Sequence, residues 1–269
     1  MPRPTRVLAV ILGVLGASTC IAAADPLKPG DALNYTFTTA YSVVEKPPWN
    51  PITAGRVSEA EWAKMVWPKT TFPGAFTVTV DRLEADGRAH ARISTPSNNR
   101  GQSGPEIEAT VTPDGQIVPN VDFAAIQAVG VDQIHPGAMI PAGYRSWTPA
   151  QQNNFWAFLA DRKMLLLNEV ALGAGKKKAI KEGDAWRIVI PDQNNQVVDF
   201  VSQGTQQFAG RDVAAIGFTT TRLTQNGVSP VSGTAFYDPQ RHLVVKLHVV
   251  GDDDTTLGVR NVIVDIVLQ

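Results

Sequence analysis

The strongest local signal in this 269-residue chain is a single helix start near its middle. Thr148-Pro149 places a capping hydroxyl directly before a proline, and proline is favoured as a first helical residue. Apolar side chains then recur at helical spacing as far as about Leu172, at Phe155, Phe158, Leu159, Leu165 and Leu166. We expect Gly173 and Gly175 to end this helix. Because Arg162 interrupts the apolar stripe, the helix should lie on a sheet rather than be buried all round.

Strand patterns fill most of the chain on both sides of this helix. Runs rich in β-branched and aromatic residues occupy 34–44, 76–80, 89–95, 106–112 and 116–118 before it, and 186–190, 197–208, 213–224, 233–237, 243–250 and 259–268 after it. Turn sequences such as Asp86-Gly87 and Pro113-Asp114-Gly115 separate neighbouring runs, which predicts antiparallel hairpins in series. We therefore expect an α+β, mainly β protein, with an extended, curved antiparallel sheet or sheets packed against one long amphipathic helix.

Two shorter features interrupt the strand runs. Ser58 and Glu61 have the spacing of a capping box, which predicts a short helix from Glu59 to Val66, ended by Pro68. Residues 121–143 are mildly apolar and fit neither the helical nor the strand periodicity, so their structure stays open.

The two β-rich stretches also resemble each other in sequence. Gly87-Arg88, followed by Ala91 and Ile93, matches Gly210-Arg211, followed by Ala214 and Ile216, at the second strand of a predicted hairpin in each case. A duplication would explain this match, and so would the turn chemistry that all hairpins share. The duplication predicts two related β-meander halves or a half-barrel, with residues 25–120 and 176–269 as the halves and 121–175 as a central helical segment. We expect residues 25–269 to form one compact unit.

The first 24 residues have the three parts of a secretory signal peptide. Arg3 and Arg6 precede a short apolar run at residues 7–15, and small residues follow as far as Ala24. We expect cleavage after Ala24 and export to the periplasm or the medium. Cys20, the only cysteine, allows a second interpretation as the acylated first residue of a lipoprotein. We favour simple cleavage, because Thr19 stands where a small residue should precede such a cysteine.

Composition excludes several classes of function. Removing Arg3 and Arg6 leaves 22 basic residues against 25 acidic ones, so the exported chain has no general attraction to nucleic acid. No segment after the leader is long enough to span a membrane. Glycine-rich phosphate loops and metal-ligand spacings are missing from the sequence, and His242 and His248, if both lie in one strand, are too far apart to share a metal. We expect neither a cofactor nor a metal.

Aromatic residues are the best candidates for a binding site. Trp49, Trp62 and Trp67 crowd a short proline-rich region, and Phe155 and Trp156 lie on the predicted long helix. A flat ring offers a large contact area at little entropic cost, so we take these five residues as candidate ligand contacts. The alternative is that such rings anchor loops onto the core.

Other candidate sites have simpler structural explanations. Gly101-Gln102-Ser103-Gly104 lacks the spacing of a nucleophile elbow. The acidic run at Asp252-Asp253-Asp254 lacks the pattern of a calcium loop, so we expect a solvated hairpin tip. Lys176-Lys177-Lys178 and Lys181 follow the long helix, where cations stabilise the helix dipole, and contact with anionic lipid is the functional alternative.

These observations favour a non-catalytic exported protein. In architecture alone, the expected fold resembles exported bacterial carrier proteins whose half-barrel sheet and covering helix enclose lipid, and no motif links the chain to them. We therefore expect a binding or carrier protein that holds a lipid, another apolar small molecule or an envelope protein in a cleft between sheet and helix. The alternatives are an envelope-associated hydrolase with a scattered site, and a structural or assembly module of the envelope, which exposed edge strands would favour.

Overall fold

The computed structural model of the chain describes residues 27–45, 49–50, 55–66, 69–95, 106–128, 144–177, 179–190, 196–224, 227–255 and 258–269. The predicted leader with Cys20 lies outside these ranges, as do Trp67, Lys178 and the glycine-rich segment at residues 101–104. Within them the chain forms eleven strands, three α-helices and one short 3-10 helix.

Strands dominate the described part of the chain. In chain order they are β1 Ala32–Glu45, β2 Thr70–Leu83, β3 Ala89–Ser94, β4 Ile107–Val111, β5 Ile117–Pro119, β6 Ala185–Ile190, β7 Gln196–Phe208, β8 Arg211–Thr224, β9 Gly227–Asp238, β10 Leu243–Thr255 and β11 Gly258–Leu268. The helices are α1 Glu59–Lys64, α2 Phe123–Ala128 and α3 Pro149–Gly175, and the 3-10 helix is Tyr144–Ser146.

All eleven strands belong to one antiparallel sheet. Its order is β5-β4-β3-β2-β1-β11-β10-β9-β8-β7-β6, so two meanders meet where the first strand pairs with the last. The sheet is not closed, and one long helix packs on it. The predicted fold class, mainly β with a single covering helix, is confirmed.

The two ends of the sheet differ in how they are held. The turns after β2, β4, β7 and β9 lie together at one end, which we call the turn end, and there Gly115 packs directly against the carbonyl oxygen of His242. The last turn of α3 lies at this same end, because Gly175 packs against Asp114. The opposite end, which we call the open end, is where β1 finishes and β2 begins.

Helix α3 covers the concave face of the sheet. Its apolar residues contact β4 and β5 near one edge and β7, β9 and β10 toward the other. Strands β3 and β4 alternate between buried and more exposed positions, as expected for a sheet with one covered face. The main core combines this face with the second half of the helix, including Val78, Ile93, Val170, Leu167 and Leu247.

The long helix ends at Gly175, one of the two glycines predicted to end it. Gly173 lies within the helix and has another role. The ring of Phe200 lies against the Cα of Gly173, at a distance that any Cβ would prevent, and the Trp186 indole donates a hydrogen bond to the Gly173 carbonyl. This glycine therefore serves close packing within the helix rather than its termination.

Other boundaries shift for physical reasons that the sequence does not display. Strand β2 begins at Thr70 and includes Pro73, which is tolerated because β3 pairs with β2 only from Thr77 onward. His242 lies in a turn with a positive φ of 55°, so the expectation that it shares a strand with His248 is wrong. Helix α1 ends at Lys64, two residues earlier than predicted.

Candidate functional site

Five aromatic side chains follow the concave face of β1 and β2 from the core to the open end. We call them the aromatic row, and they are Tyr35, Phe76, Phe37, Phe72 and Tyr41. Tyr35 and Phe76 stack at 4.9 Å between ring centroids, Phe37 lies 6.4 Å from Phe76, and Tyr41 meets Phe72 edge-on at 5.8 Å. The five residues share one face because they alternate along two strands in antiparallel register. Their ring contacts form two groups, with Tyr35, Phe76 and Phe37 in one and Tyr41 and Phe72 in the other.

Cover by α3 decreases along the aromatic row. Tyr35 is 1% exposed and Phe76 is 8% exposed, whereas Phe72 near the open end is 54% exposed. Phe37 marks the transition, and its ring lies directly on Gly74, where any Cβ would overlap it. The row thus begins in the core and ends as an exposed apolar surface inside the curve of the sheet.

One face of α3 lies above this exposed part of the row. Trp156, Ala160 and Lys163 are spaced four and three residues apart, which puts them on one side of the helix. The Lys163 ammonium lies 5.8 Å from the centroid of the Phe37 ring, so this side faces β1. Because α3 runs toward the turn end, Trp156 lies about 10 Å closer to the open end than Lys163.

Lys163 is an exposed residue whose ammonium lies beside an aromatic ring. In the described part of the chain, no carboxylate lies within ion-pair distance of its ammonium, and its contact with a phenyl ring is the interaction found there. Desolvation lowers the pKa of Lys163. The group therefore presents a positive charge next to an apolar surface without an acidic partner.

Phe155 and Trp156, the two candidate ligand contacts on the long helix, pack against each other but differ in exposure. Phe155 is 1% exposed and packs among Tyr144, Trp147 and Trp156, with ring centroids 5.6 to 5.7 Å apart. Trp156 is half-buried and donates an indole hydrogen bond of 2.7 Å to the Tyr144 hydroxyl. The buried Phe155 ring thus packs against the Trp156 ring, and Trp156 also packs against the main core.

Of the three predicted tryptophans of the proline-rich region, the structure describes Trp49 and Trp62. The Trp49 indole donates a hydrogen bond of 3.0 Å to the Val57 carbonyl. Trp62 lies on α1, a helix with a complete capping box and no buried residue among its six. Trp67 lies outside the described residues.

A buried ion pair lies on the flank of α3 that faces β8. Glu169 is 3% exposed, and its carboxylate lies 3.6 Å from the Arg222 guanidinium, a distance too long for a hydrogen bond. Burial raises the pKa of Glu169 to about 7, and the charge of Arg222 opposes part of that rise. Neither carboxylate oxygen of Glu169 has a hydrogen-bond partner among the described residues.

The convex face carries a polar row across three strands. Thr234 on β9, His248 on β10 and Asp265 on β11 are direct cross-strand neighbours. The Nδ1 atom of His248 lies 2.7 Å from the Asp265 carboxylate, and a pocket of about 150 Å³ is lined by all three residues together with Phe236 and Lys246. A hydroxyl, an imidazole and a carboxylate in this order form the constellation that hydrolytic triads use.

Sequence reasoning missed Lys163 and the aromatic row. Tyr35, Phe37 and Tyr41 show the period-2 spacing of one strand face, so the sequence contained a signal for half of the row. The predicted strand at 76–80 began after Phe72, whereas β2 begins at Thr70 and continues through Pro73. No local signal distinguishes Lys163 from the other lysines, since its position follows from how α3 packs.

The described residues hold no group of three or more His, Cys, Asp or Glu side chains that could bind a metal ion. None of the helices in those residues is long and apolar enough to cross a membrane.

No protein family model matches the sequence, and no curated protein is similar to it. Among solved structures, a chain described as a putative lipoprotein from Parabacteroides distasonis ATCC 8503 is similar over 90% of this chain and 95% of its own. The two share 12% sequence identity and superpose with a TM-score of 0.30. Because the TM-score is this low, we infer neither fold nor function from this similarity.

Proposed function

We propose that this chain is a non-catalytic, exported binding protein that holds an apolar ligand between α3 and the aromatic row at the open end of the sheet. The observation that carries the proposal is the increase of solvent exposure along one apolar face of β1 and β2. Tyr35 and Phe76 are buried, and Phe72 on the same face is 54% exposed. Burying one phenyl side chain contributes about 1.5–3 kcal/mol, so leaving it exposed favours a partner there.

The ligand site follows from the two surfaces that face each other. Phe37, Tyr41 and Phe72 form its floor, and Trp156 lies on the helix face above them. Deeper in the fold the helix and sheet are in full contact, as Phe200 on Gly173 illustrates. The ligand therefore enters at the open end rather than lying along the whole helix.

A neutral fluorescent probe tests this proposal directly. N-phenyl-1-naphthylamine should bind saturably to the wild-type protein with an increase in emission. Phe72→Asp should weaken binding about tenfold or more, because it puts a charge on the apolar floor. Val201→Asp is the matched control, since Val201 is 51% exposed on the opposite face of the sheet and should leave binding unchanged. Absence of saturable binding, or equal losses in both variants, would contradict the proposal.

Export is the second part of the proposal and rests on the predicted leader. Cell fractionation should find the mature chain outside the cytoplasm, and deletion of residues 2–24 should retain it inside. Mass spectrometry of the mature protein should give an N-terminus at Asp25. A lipid-modified N-terminus at Cys20 would instead support the lipoprotein interpretation.

The convex row favours one alternative, an envelope-associated hydrolase. If Nδ1 of His248 donates to Asp265, its Nε2 atom can accept a proton from a hydroxyl, as a general base does. The Thr234 hydroxyl and His248 share no hydrogen bond in the structure, and the His248 and Asp265 side chains are 41% and 45% exposed. Binding is preferred, because catalysis by such a row needs the hydroxyl engaged and water excluded.

An ester substrate separates the two functions. If the row is catalytic, the protein should hydrolyse p-nitrophenyl acetate faster than buffer, and His248→Gln should abolish the excess rate. His90→Gln is the matched control, because His90 also contacts a carboxylate, that of Glu84, on the convex face. A wild-type rate equal to that of His248→Gln removes the hydrolase alternative.

A further inference from the structure

We propose that the ligand is a long-chain carboxylate, whose head group pairs with Lys163 while its hydrocarbon tail lies along the exposed part of the aromatic row. This inference rests on the binding function proposed above and adds the chemical class of the ligand. It joins two observations from one place in the fold, an apolar floor and the exposed ammonium of Lys163 beside Phe37.

Lys163 lies above Phe37, and no acidic side chain in the described part of the chain forms an ion pair with it. Lys246 on the convex face also lies over a ring without such a pair, so the distinctive feature of Lys163 is its place beside the aromatic row. Lys177, by contrast, lies over the Trp186 ring and also pairs with Asp184 at 3.3 Å. An anionic ligand would give Lys163 the partner that Lys177 already has.

The geometry of the row suits a linear hydrocarbon tail. Phe37 and Tyr41 are four residues apart on one strand, which corresponds to about 13 Å along the sheet. A tail that starts at Lys163 would pass Phe37 first and then Phe72, moving from the covered to the exposed part. Its polar head would lie at the exposed Lys163, and the end of its tail would point toward the open end.

A carboxylate matches the charge of this site better than a phosphate monoester. A single lysine acts as a point charge of +1, whereas a phosphate monoester carries about −1.5 to −2 at neutral pH. The nearby arginines are directed elsewhere, because Arg162 lies 5.1 Å from the Phe158 ring and Arg222 lies beside Glu169. One ammonium therefore balances one negative charge at the aromatic row.

Displacement of N-phenyl-1-naphthylamine by four amphiphiles tests the head group. Decanoate, decanol, decyltrimethylammonium and dihexanoylphosphatidylglycerol would compete with the bound probe at pH 8 and at concentrations below micelle formation. We expect decanoate to bind about tenfold more tightly than decanol, and decyltrimethylammonium to bind most weakly. Lys163→Met should remove the preference for decanoate and leave the affinity for decanol within about twofold.

Lys246→Met is the matched control. Lys246 also lies over a phenyl ring, that of Phe236 at 5.4 Å, but on the convex face, so its loss should leave all four affinities unchanged. Equal binding of decanoate and decanol by the wild-type protein would overturn the carboxylate assignment and leave the proposed function standing. Tighter binding of the phosphatidylglycerol would overturn it as well. If the probe itself does not bind, the proposed function fails and this inference fails with it.

Discussion

Two asparagines show how single side chains secure the segments around α3. Asn168 accepts a hydrogen bond from the Ile117 amide and donates one to the Ile117 carbonyl, both at 2.8 Å. Asn154 does the same for Asp122, at 2.7 and 2.8 Å. Since β5 is an edge strand of only three residues, Asn168 occupies the backbone groups that another strand would need for pairing. This contact disfavours assembly through the β5 edge.

Removing the side-chain amides of Asn168 and Asn154 should lower the free energy of unfolding by different amounts. Asn168→Ala leaves the part-buried Ile117 amide and carbonyl without partners, so we expect a loss of about 1–3 kcal/mol in the free energy of unfolding. Asn154→Ala should cost less than about 1 kcal/mol, because water can replace its two bonds at an exposed site. Urea unfolding of both variants provides the measurement, and equal costs would show that Asn168 has no special role at the edge.

Glu169 should make the stability of the protein depend on pH. Its pKa of about 7 in the folded protein lies above the ordinary value of 4.5, so folding takes up a proton between these two pH values. Stability therefore falls as the pH rises through this window, by about 3 kcal/mol at most. Arg222 stabilises the ionised carboxylate of Glu169, and Arg162 is the other cation near this pair.

Glu169→Gln should remove this part of the pH dependence. Chemical unfolding at several pH values from 5 to 8 would show a decline in the wild type that is smaller in the variant. Glu108→Gln, an exposed substitution on the convex face, should follow the wild-type curve. A variant curve parallel to the wild-type one would mean that Glu169 does not titrate in this range.

At the scale of elements, local signals predicted where α1 and α3 begin and missed what long-range packing decides. The N-terminal caps form as expected at Ser58 and Thr148, and at Thr148 the Gln151 side chain completes a capping box. Gly175 ends α3 as predicted, whereas Gly173 makes room for a ring from β7, a contact distant in sequence. Trp156 was a candidate ligand contact because it is aromatic, and no local signal pointed to Lys163.

The two capping boxes allow a matched comparison of the two helices. Thr148→Ala should lower the free energy of unfolding by about 1 kcal/mol, because α3 carries much of the core. Ser58→Ala removes the same kind of cap from α1, which has no buried residue, so global stability should hardly change. Denaturant midpoints of the two variants would test this, and a large effect of Ser58→Ala would show that α1 is coupled to the core.

At the scale of the whole molecule, three connections join the two meanders. The first strand pairs with the last, α3 packs on strands from both meanders, and the turn at Gly115 meets the turn at His242. The first two connections lie in the middle of the sheet and on its concave face. The third lies at the turn end, where a turn of the first meander contacts a turn of the second.

The contribution of this turn contact can be separated from backbone strain. Gly115 and Gly87 have nearly the same positive φ, 83° and 85°, so alanine should strain both turns by about 1 kcal/mol. A Cβ at Gly115 would also overlap the His242 carbonyl, whereas the nearest atom at Gly87 is Pro113 Cγ at 3.6 Å. Backbone atoms cannot move aside as a flexible side chain can, so Gly115→Ala should cost about 1–3 kcal/mol more than Gly87→Ala in urea unfolding.

The same pair of variants links the turn end to the proposed site. If the turn contact sets the curvature of the sheet, Gly115→Ala should change the affinity for N-phenyl-1-naphthylamine at the open end, and Gly87→Ala should not. The helix transmits the change, because its last residue packs on Asp114 beside Gly115 and its other end carries Trp156 over the aromatic row. Equal unfolding energies and equal probe affinities in both variants would mean that β1–β11 pairing and α3 hold the two meanders without help from the turns.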